Sequence, residues 1–220
     1  MSHPQLFAAV GDIHGCARSL DAMLEKLAPM KDRTIVFIGD YIDRGPDSSG
    51  VIDLLLSFSR HHDCIFLRGN HEKMLLDVLE NGDDHIWLIN GGNNTLESYG
   101  VKSAHHIPEQ HLDFIRATRL WYDTADYLFI HGGLQPEQRV GEQLENSRTK
   151  ESALWERSHI HTPTAWEKTV VFGHTPVPQP IFEQHKIGID TGCVYDRPEL
   201  GKLTTVLLPE ATCIEQTCLD

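Results

Sequence analysis

Five times along this chain of 220 residues, a short apolar run stops at a glycine-containing polar turn. The runs are LFAAV before Gly11-Asp12, TIVFI before Gly39-Asp40, CIFL before Arg68-Gly69-Asn70, YLFI before His131-Gly132 and TVVF before Gly173-His174. Continuous apolar runs rich in β-branched and aromatic residues suit strands covered on both faces. Between the first three runs lie SLDAMLEKLA and SGVIDLLLSFSRH, whose apolar residues recur at helical spacing. Asp12, Asp40 and Asn70 are spaced by about one β-α-β unit, roughly 30 residues each. The chain therefore opens β-α-β-α-β with parallel strands. Every polar turn then falls at the carboxyl end of its strand, where open α/β sheets gather their sites.

From Glu72 to Tyr127 the pattern is more helical and irregular, through KMLLDVLENG, IWLINGGNNTLESYG and PEQHLDFIRATRL. These segments are expected to pack as helices on one face of the sheet and shape a cleft. After Thr169 strands return, with KIGID and KLTTVLL as candidates for a second sheet. The expected fold is α/β, a two-layer β-sandwich flanked by helices with the site at the C-terminal ends of strands. No repeat, low-complexity tract or linker divides residues 1–220, which read as one domain large enough to bury a core without disulfides.

The five cysteines form no C-x-x-C pair and are odd in number. They read as reduced structural or surface thiols, Cys213 and Cys218 being the two able to approach each other. No apolar run nears the ~20 residues of a membrane span, and MSHPQLFAAVGD lacks a basic leader region. A cytoplasmic protein with no membrane partner is expected. With 32 acidic against 19 basic residues the net charge is −13, which repels the backbone of nucleic acid. A small phosphate substrate is not excluded, because bound cations dominate the field at a site.

Taken singly, the motifs GDIHG (11–15), GDYIDRGPDS (39–48), RGNHE (68–72), HGG (131–133) and GHT (173–175) are weak. A lone Gly-Asp after a strand is usually only a turn, and a lone histidine is usually a satisfied core or surface residue. Five such turns in order, each offering Asp, Asn or His, are another matter. Oxygen and imidazole ligands without cysteine suit manganese, iron or zinc in a hydrolytic site. Two divalent ions ~3.5–4 Å apart clamp a phosphoryl group and bring a bound water close to ionisation at neutral pH. Asp12 and His14 can grip one ion from a single turn, and Asn70, His131 and His174 complete the other. Asp40, on the middle strand, is the natural bridge. Manganese is the expected metal.

These motifs resemble those of the calcineurin-like metallophosphoesterases, specifically the phosphoprotein phosphatases of bacterial and phage type. The resemblance runs from LFAAVGDIHG to IDTG near residue 191, and GDYIDRGPDS with RGNHE is specific to that branch. It implies two β-sheets flanked by helices and the metal assignments above. It also implies that His71 protonates the leaving oxygen while Asp43 orients its imidazole, a suitable pairing for a general acid. The forked guanidinium groups of Arg44 and Arg68 suit a doubly charged phosphate monoester. Arg157, in LWERS, resembles a further phosphate-contacting arginine. NGGNNTLESYG is similar to a bacterial phosphatase segment, with a purely structural turn equally open. His61, His62, His105, His106, His159 and His161 fall in polar stretches expected to be exposed. Trp87, Trp121, Trp155 and Trp166 read as packing residues, and nothing activates Cys16 as a nucleophile.

The expected activity is hydrolysis of phosphate monoesters on the serine or threonine side chains of a phosphoprotein or phosphopeptide. The alternative enzyme is a symmetrical diadenosine tetraphosphate hydrolase or another nucleotide phosphoesterase. That symmetrical group shares GDIHGC and GNH but lacks an acid equivalent to Asp43. An inactive phosphoprotein-binding scaffold would have lost a ligand or the His–Asp pair, and neither is missing here.

Overall fold

The first three apolar runs do form parallel strands in the computed structural model, which describes residues 5–220. Residues 1–4, part of the opening stretch read above, lie outside the described residues. In chain order, β1 (Phe7–Val10), α1 (Ala17–Leu27), β2 (Thr34–Phe37), α2 (Ser48–Phe58) and β3 (Cys64–Phe66) make the expected β-α-β-α-β start. Asp47 caps α2, its Oδ1 accepting from the Gly50 N–H at 2.8 Å. There follow α3 (Asn70–Asn81), α4 (His85–Trp87), a π turn (Leu88–Gly92), α5 (Asn93–Tyr99) and α6 (Glu109–Ala117). The chain continues with β4 (Trp121–Asp123), β5 (Tyr127–Ile130), α7 (Val140–Glu145) and α8 (Thr149–Ser152). It closes with β6 (Thr169–Phe172), β7 (Ile181–Glu183), β8 (Lys186–Gly188), β9 (Lys202–Leu208) and β10 (Thr212–Thr217).

Two five-stranded mixed sheets result, ordered β10-β9-β1-β2-β3 and β4-β5-β6-β8-β7. Side chains of a strand alternate between faces, and the strands exploit both. Ala8, Val10, Ile35 and Phe37 face Leu20, Met23, Val51, Leu75 and Phe114 of the covering helices. Their neighbours Phe7, Ala9, Val36 and Ile38 face the other way, meeting Phe129, Val171 and Ile187 of the second sheet. On the far side of that sheet, Leu128, Ile130, Val170 and Phe172 are covered by Val140, Ala153, Ile160 and Trp166. The α/β sandwich with flanking helices is the architecture expected from the sequence.

KLTTVLL departs from its expected place: as β9 it joins the first sheet, antiparallel to β1, whereas KIG of KIGID, as β8, does lie in the second. Three further strands, β4, β7 and β10, lie outside the segments read as strands. The 72–127 stretch is not wholly helical, because Trp121–Asp123 pairs antiparallel with β5 and edges the second sheet. β7 and β10 were likewise illegible: β7 has three residues, and β10 lies at a sheet edge with mostly exposed side chains. IWLINGGNNTLESYG breaks at Gly91, whose φ of 107° no helix accommodates. Among the described residues, no helix is long and apolar enough to cross a membrane.

Phe129 is fully buried between the sheets, its ring 5.0 Å from that of Phe7. Phe129→Ala is expected to cost about 3–5 kcal/mol, lowering Tm by roughly 6–20 °C in a chain of this size. Phe182, on β7, is 45% exposed, and its replacement by alanine should cost about 0.5 kcal/mol or less. Thermal unfolding followed by circular dichroism compares the two. Equal shifts would mean that the layer between the sheets contributes no special packing.

Candidate metal centre

The five polar turns meet at the carboxyl edges of β1, β2, β3, β5 and β6, three from one sheet and two from the other. Backbone hydrogen bonds stitch them together. Ile13 and His14 donate N–H to the Asp40 carbonyl at 3.1 and 2.8 Å, and the Gly173 N–H donates to the His131 carbonyl at 2.9 Å. The turns are conformationally costly. His14, Asp40, Asp43, Arg44 and His174 all have φ between 47° and 71°, and among the described residues only His185 and Ala211 join them as non-glycine residues with positive φ.

A buried carboxylate holds the central turn. Glu72 accepts the Asp40 and Gly69 N–H groups on Oε2 and the Tyr41 N–H on Oε1, each at 2.8 Å. Two glycines complete the cradle. A Cβ on Gly69 would collide with Asp40 Oδ1, and one on Gly173 with Asp12 Oδ1.

Asp40 divides the ligand-type atoms into two groups. On one side, His131 Nε2 lies 3.4 Å from Asp40 Oδ1 and 3.0 Å from Asn70 Oδ1. His174 Nδ1 lies 2.9 Å from the same Asn70 oxygen. On the other side, His14 Nε2 lies 3.4 Å from Asp40 Oδ2. Asp12 turns one oxygen to the His174 N–H at 3.0 Å, while its Oδ1 is buried without a hydrogen-bond partner. The Ile42 and Ile38 carbonyls lie 3.0 and 3.2 Å from Nδ1 of His14 and His131. Each carbonyl is placed to accept the Nδ1 proton, which turns both Nε2 atoms to the centre; at His14, which burial keeps neutral, that nitrogen presents a lone pair, the tautomer of a metal ligand.

The electrostatics call for positive charge. Burial, together with the charges of Asp190 and Asp40, pushes Asp12 well above the ordinary carboxylate range. Burial alone would also raise Asp40, but the His131, His71 and His14 rings outweigh it and hold that carboxyl low. Burial disfavours a charged His131, yet Asp40, Asp12 and Glu72 lift it to about 9. Converging acceptors, an orphaned carboxylate oxygen and an oxygen-and-imidazole donor set without sulfur fit divalent cations.

His71 stands beside this cluster. It is fully buried, with Nδ1 2.7 Å from Asp43 Oδ2 and Nε2 without a partner, 3.9 Å from Asp40 Oδ2. Asp43 is in turn gripped by Trp87, whose Nε1 donates to both carboxylate oxygens at 3.0 Å, and by the Thr95 hydroxyl at 2.6 Å. Trp87, read as packing, and the GGNNT segment, left between a phosphatase-like segment and a purely structural turn, are thus both part of the site's support. The Gly91 carbonyl also accepts the Arg44 N–H at 3.3 Å.

The arginines separate. Arg44 donates from one Nη to His14 Nε2 at 2.8 Å and to the Tyr195 hydroxyl at 2.9 Å. Arg157 donates from Nε to His174 Nε2 at 2.9 Å. Arg68, expected to bind phosphate, does not join them in this arrangement. Its guanidinium is taken up by the Thr118 hydroxyl and the Arg116 and Thr118 carbonyls, each at 3.0 Å. The cause is a parallel bridge between Leu67 and Arg119 that turns residue 68 towards the end of α6.

Two further expectations are corrected. His159 is not exposed but fully buried against Trp166 and Phe172, and burial lowers it to about 4. Trp155 is not packed away but 44% exposed, edge-on to His174 at 5.9 Å. Sequence reasoning also passed over Glu72, the last letter of RGNHE, and Asp190 and Tyr195 after β8. For Glu72 the clue was available, since an acid three residues into a helix commonly caps it.

The sequence profile of the calcineurin-like phosphoesterases matches residues 6–202. Serine/threonine-protein phosphatase 1 of Salmonella typhimurium is 32% identical over 204 residues, covering 89% of this chain and 88% of that protein. Bis(5'-nucleosyl)-tetraphosphatase PrpE [asymmetrical] of Oceanobacillus iheyensis is 28% identical over 237 residues, covering 91% and 88%. Among solved structures, a protein serine/threonine phosphatase from Saccharomyces cerevisiae superposes with a TM-score of 0.67 at 17% identity, covering 98% of this chain and 81% of that one. This last likeness concerns the fold.

Asp40 offers an oxygen to each group, so Asp40→Asn should lower the divalent metal content of the purified protein more than any other single ligand change. Glu72→Ala should lower it too, although Glu72 faces backbone N–H groups and no ligand position. Elemental analysis by mass spectrometry reads both. Two tightly held ions in Asp40→Asn would move the bridge elsewhere, and unchanged content in Glu72→Ala would remove Glu72 from its positioning role.

Proposed function

The chain belongs to the calcineurin-like phosphoesterase family, and from that premise we propose that it is a phosphomonoesterase acting on phosphoserine and phosphothreonine in proteins. The pairing of His71 with Asp43 carries this reading. An alkoxide leaving a serine or threonine phosphate needs a proton as the bond breaks, and a buried histidine oriented by a carboxylate is built to give one. A nucleotide leaving group is a stable anion and has little need of such an acid.

In this proposal Asp12, His14, Asp40, Asn70, His131 and His174 would hold two divalent ions, Asp40 offering one oxygen to each group of ligand-type atoms. Manganese is the first candidate, iron and zinc the others. When bound, the ions supply Lewis acidity and an activated water. Arg44 and Arg157 bind the phosphate oxygens, Arg44 steadied by the Tyr195 hydroxyl. Trp87, through its indole N–H, and Thr95, through its hydroxyl, keep Asp43 aimed at His71. A hollow of about 460 Å³ lined by Met74, Ile86, Trp87 and Trp155, among others, offers apolar surface to residues flanking the phosphorylated side chain.

A second reading also has support: relatives 27–28% identical to this chain are named bis(5'-nucleosyl)-tetraphosphatases of the asymmetrical kind. The nucleotide alternative read from the sequence is a symmetrical diadenosine tetraphosphate hydrolase or another nucleotide phosphoesterase, and an asymmetrical hydrolase falls under the second. Exposed Trp155 would seat an adenine as readily as a peptide side chain.

Turnover of a phosphoserine peptide and of diadenosine tetraphosphate, side by side with manganese, tests the proposal. The peptide should show the higher kcat/KM, with activity lost to chelator and restored by manganese. Faster cleavage of the dinucleotide would overturn the protein-phosphatase reading.

His71→Asn should keep its metals yet lose about 10²–10⁴-fold in kcat on phosphoserine, the usual worth of general acid catalysis. The loss should be much smaller on p-nitrophenyl phosphate, whose phenolate leaves without a proton. Equal losses on both substrates would assign His71 another role. Steady-state kinetics should likewise separate the arginines: Arg44→Ala raises KM for both substrates, whereas Arg68→Ala raises it less. The reverse order would return Arg68 to the phosphate site.

A further inference from the structure

Three cysteines take no part in the chemistry above. The sulfurs of Cys16, Cys193 and Cys218 nevertheless lie within 4.8 Å of one another. They arrive from separate places: Cys16 stands directly before α1, Cys193 follows the Asp190–Gly192 turn beyond β8, and Cys218 follows β10. Cys16 and Cys193 are buried, and Cys218 is half-buried. From sequence Cys213 and Cys218 are the two able to approach each other, but Cys213 is exposed on β10 and joins no such group.

The tail that carries Cys218 is fastened independently of any sulfur. Asp220 accepts the Arg18 and Ser19 N–H groups at 3.0 Å and the Ser19 hydroxyl at 2.6 Å. The Leu219 N–H donates to the Ser19 oxygen at 2.9 Å, and the Cys218 N–H to the Gly201 carbonyl at 2.8 Å. A buried thiol is often just a small apolar filler, and Cys16 and Cys193 alone would need no other account. A third sulfur held against them on a fastened tail does. Two sulfurs on one ion at ~2.3 Å each are separated by roughly 3.8 Å in tetrahedral geometry, a spacing this cluster can take up with small side-chain adjustments.

We infer that Cys16, Cys193 and Cys218 form a second metal site, a three-thiolate pocket for a thiophilic ion, Zn²⁺ or Cu⁺. Soft thiolates select these ions, whereas the oxygen-and-imidazole centre suits harder cations. The two sites would therefore sort metals by chemistry. Three sulfurs satisfy Cu⁺ as they stand, and Zn²⁺ takes a water as fourth ligand from the half-exposed Cys218 side. Binding releases the thiol protons to solvent. An occupied site ties the C-terminal tail and the Asp190–Gly192 turn to the residue two beyond His14.

The test uses the full chain and Cys218→Ser, each first saturated with manganese, and Cd²⁺ as the probe. Sulfur coordination gives Cd²⁺ an ultraviolet thiolate-to-metal charge-transfer band that oxygen and imidazole ligands do not. Wild type should show that band, saturating at one equivalent, with binding weakened roughly tenfold or more in Cys218→Ser. Added Zn²⁺ or Cu⁺ should displace the probe, and the ion effective at lower concentration is the preferred one. As a second measurement on wild type alone, the loaded ion should protect Cys218, the half-buried thiol of the three, from an aromatic disulfide reagent. No band, an equal band in Cys218→Ser, an unprotected Cys218 or a disulfide formed in place of metal binding would each overturn the site. Manganese-supported phosphatase activity should be unchanged in Cys218→Ser, so a failure here is distinct from a failure of the proposed function.

Discussion

The carboxylate of Glu72 is the interaction on which the centre depends. The turn after β2 points the N–H groups of Asp40 and Tyr41 inward, where no strand can accept them, and a buried N–H without a partner costs about 1–3 kcal/mol. Glu72 supplies the acceptor and simultaneously takes the Gly69 N–H, locking the end of β2 to the start of α3. Burial and the nearby Asp40 charge raise its own pKa to about 7, so the position is electrostatically uphill for the carboxylate itself. What is gained is a fixed Asp40, and with it the orientation of Asp43 and Arg44 a few residues on. The Tyr41 hydroxyl, donating to the Leu67 carbonyl at 2.6 Å, closes the same junction from the core side.

A second dependence is architectural. Asp12, Asp40 and Asn70 come from one sheet, while His131 and His174 come from the other. The centre therefore straddles the sandwich, and its distances are set by how the sheets stack. Phe7, Val36, Phe129 and Val171 in the layer between them are as much a part of that geometry as the ligand-type side chains themselves. A change in spacing there would be felt where Asn70 meets His131 and His174, whose polar atoms lie 3.0 and 2.9 Å from its side-chain oxygen across the junction.

What the sequence made legible is what local chemistry determines. One apolar run ending in a polar glycine turn declares only a strand and a turn, but five of them in order, each offering Asp, Asn or His, let the turns and their ligand-type side chains be found without coordinates. Direction was harder. Arg68 sits in the RGNHE motif, but whether its guanidinium turns inward or towards Thr118 depends on a contact fifty residues away. Trp87 and Thr95 lie 44 and 52 residues from the carboxylate they support, and nothing in their neighbours announces that partnership. The short strands β4 and β7 exist only because a neighbouring strand receives them, since three residues carry too little periodicity to be read.

The left-handed backbone of His14, Asp40, Asp43, Arg44 and His174 has a consequence for anyone reshaping this protein. At such positions glycine adopts the required φ without steric cost, so a selection for thermal endurance alone would drift towards glycine there. Each step would ease the backbone at that turn while deleting an imidazole, a carboxylate or a guanidinium from the centre. Durability and chemistry are thus in direct opposition at these five residues. A library meant to toughen the enzyme should hold them constant and look for its gains in the outer strands.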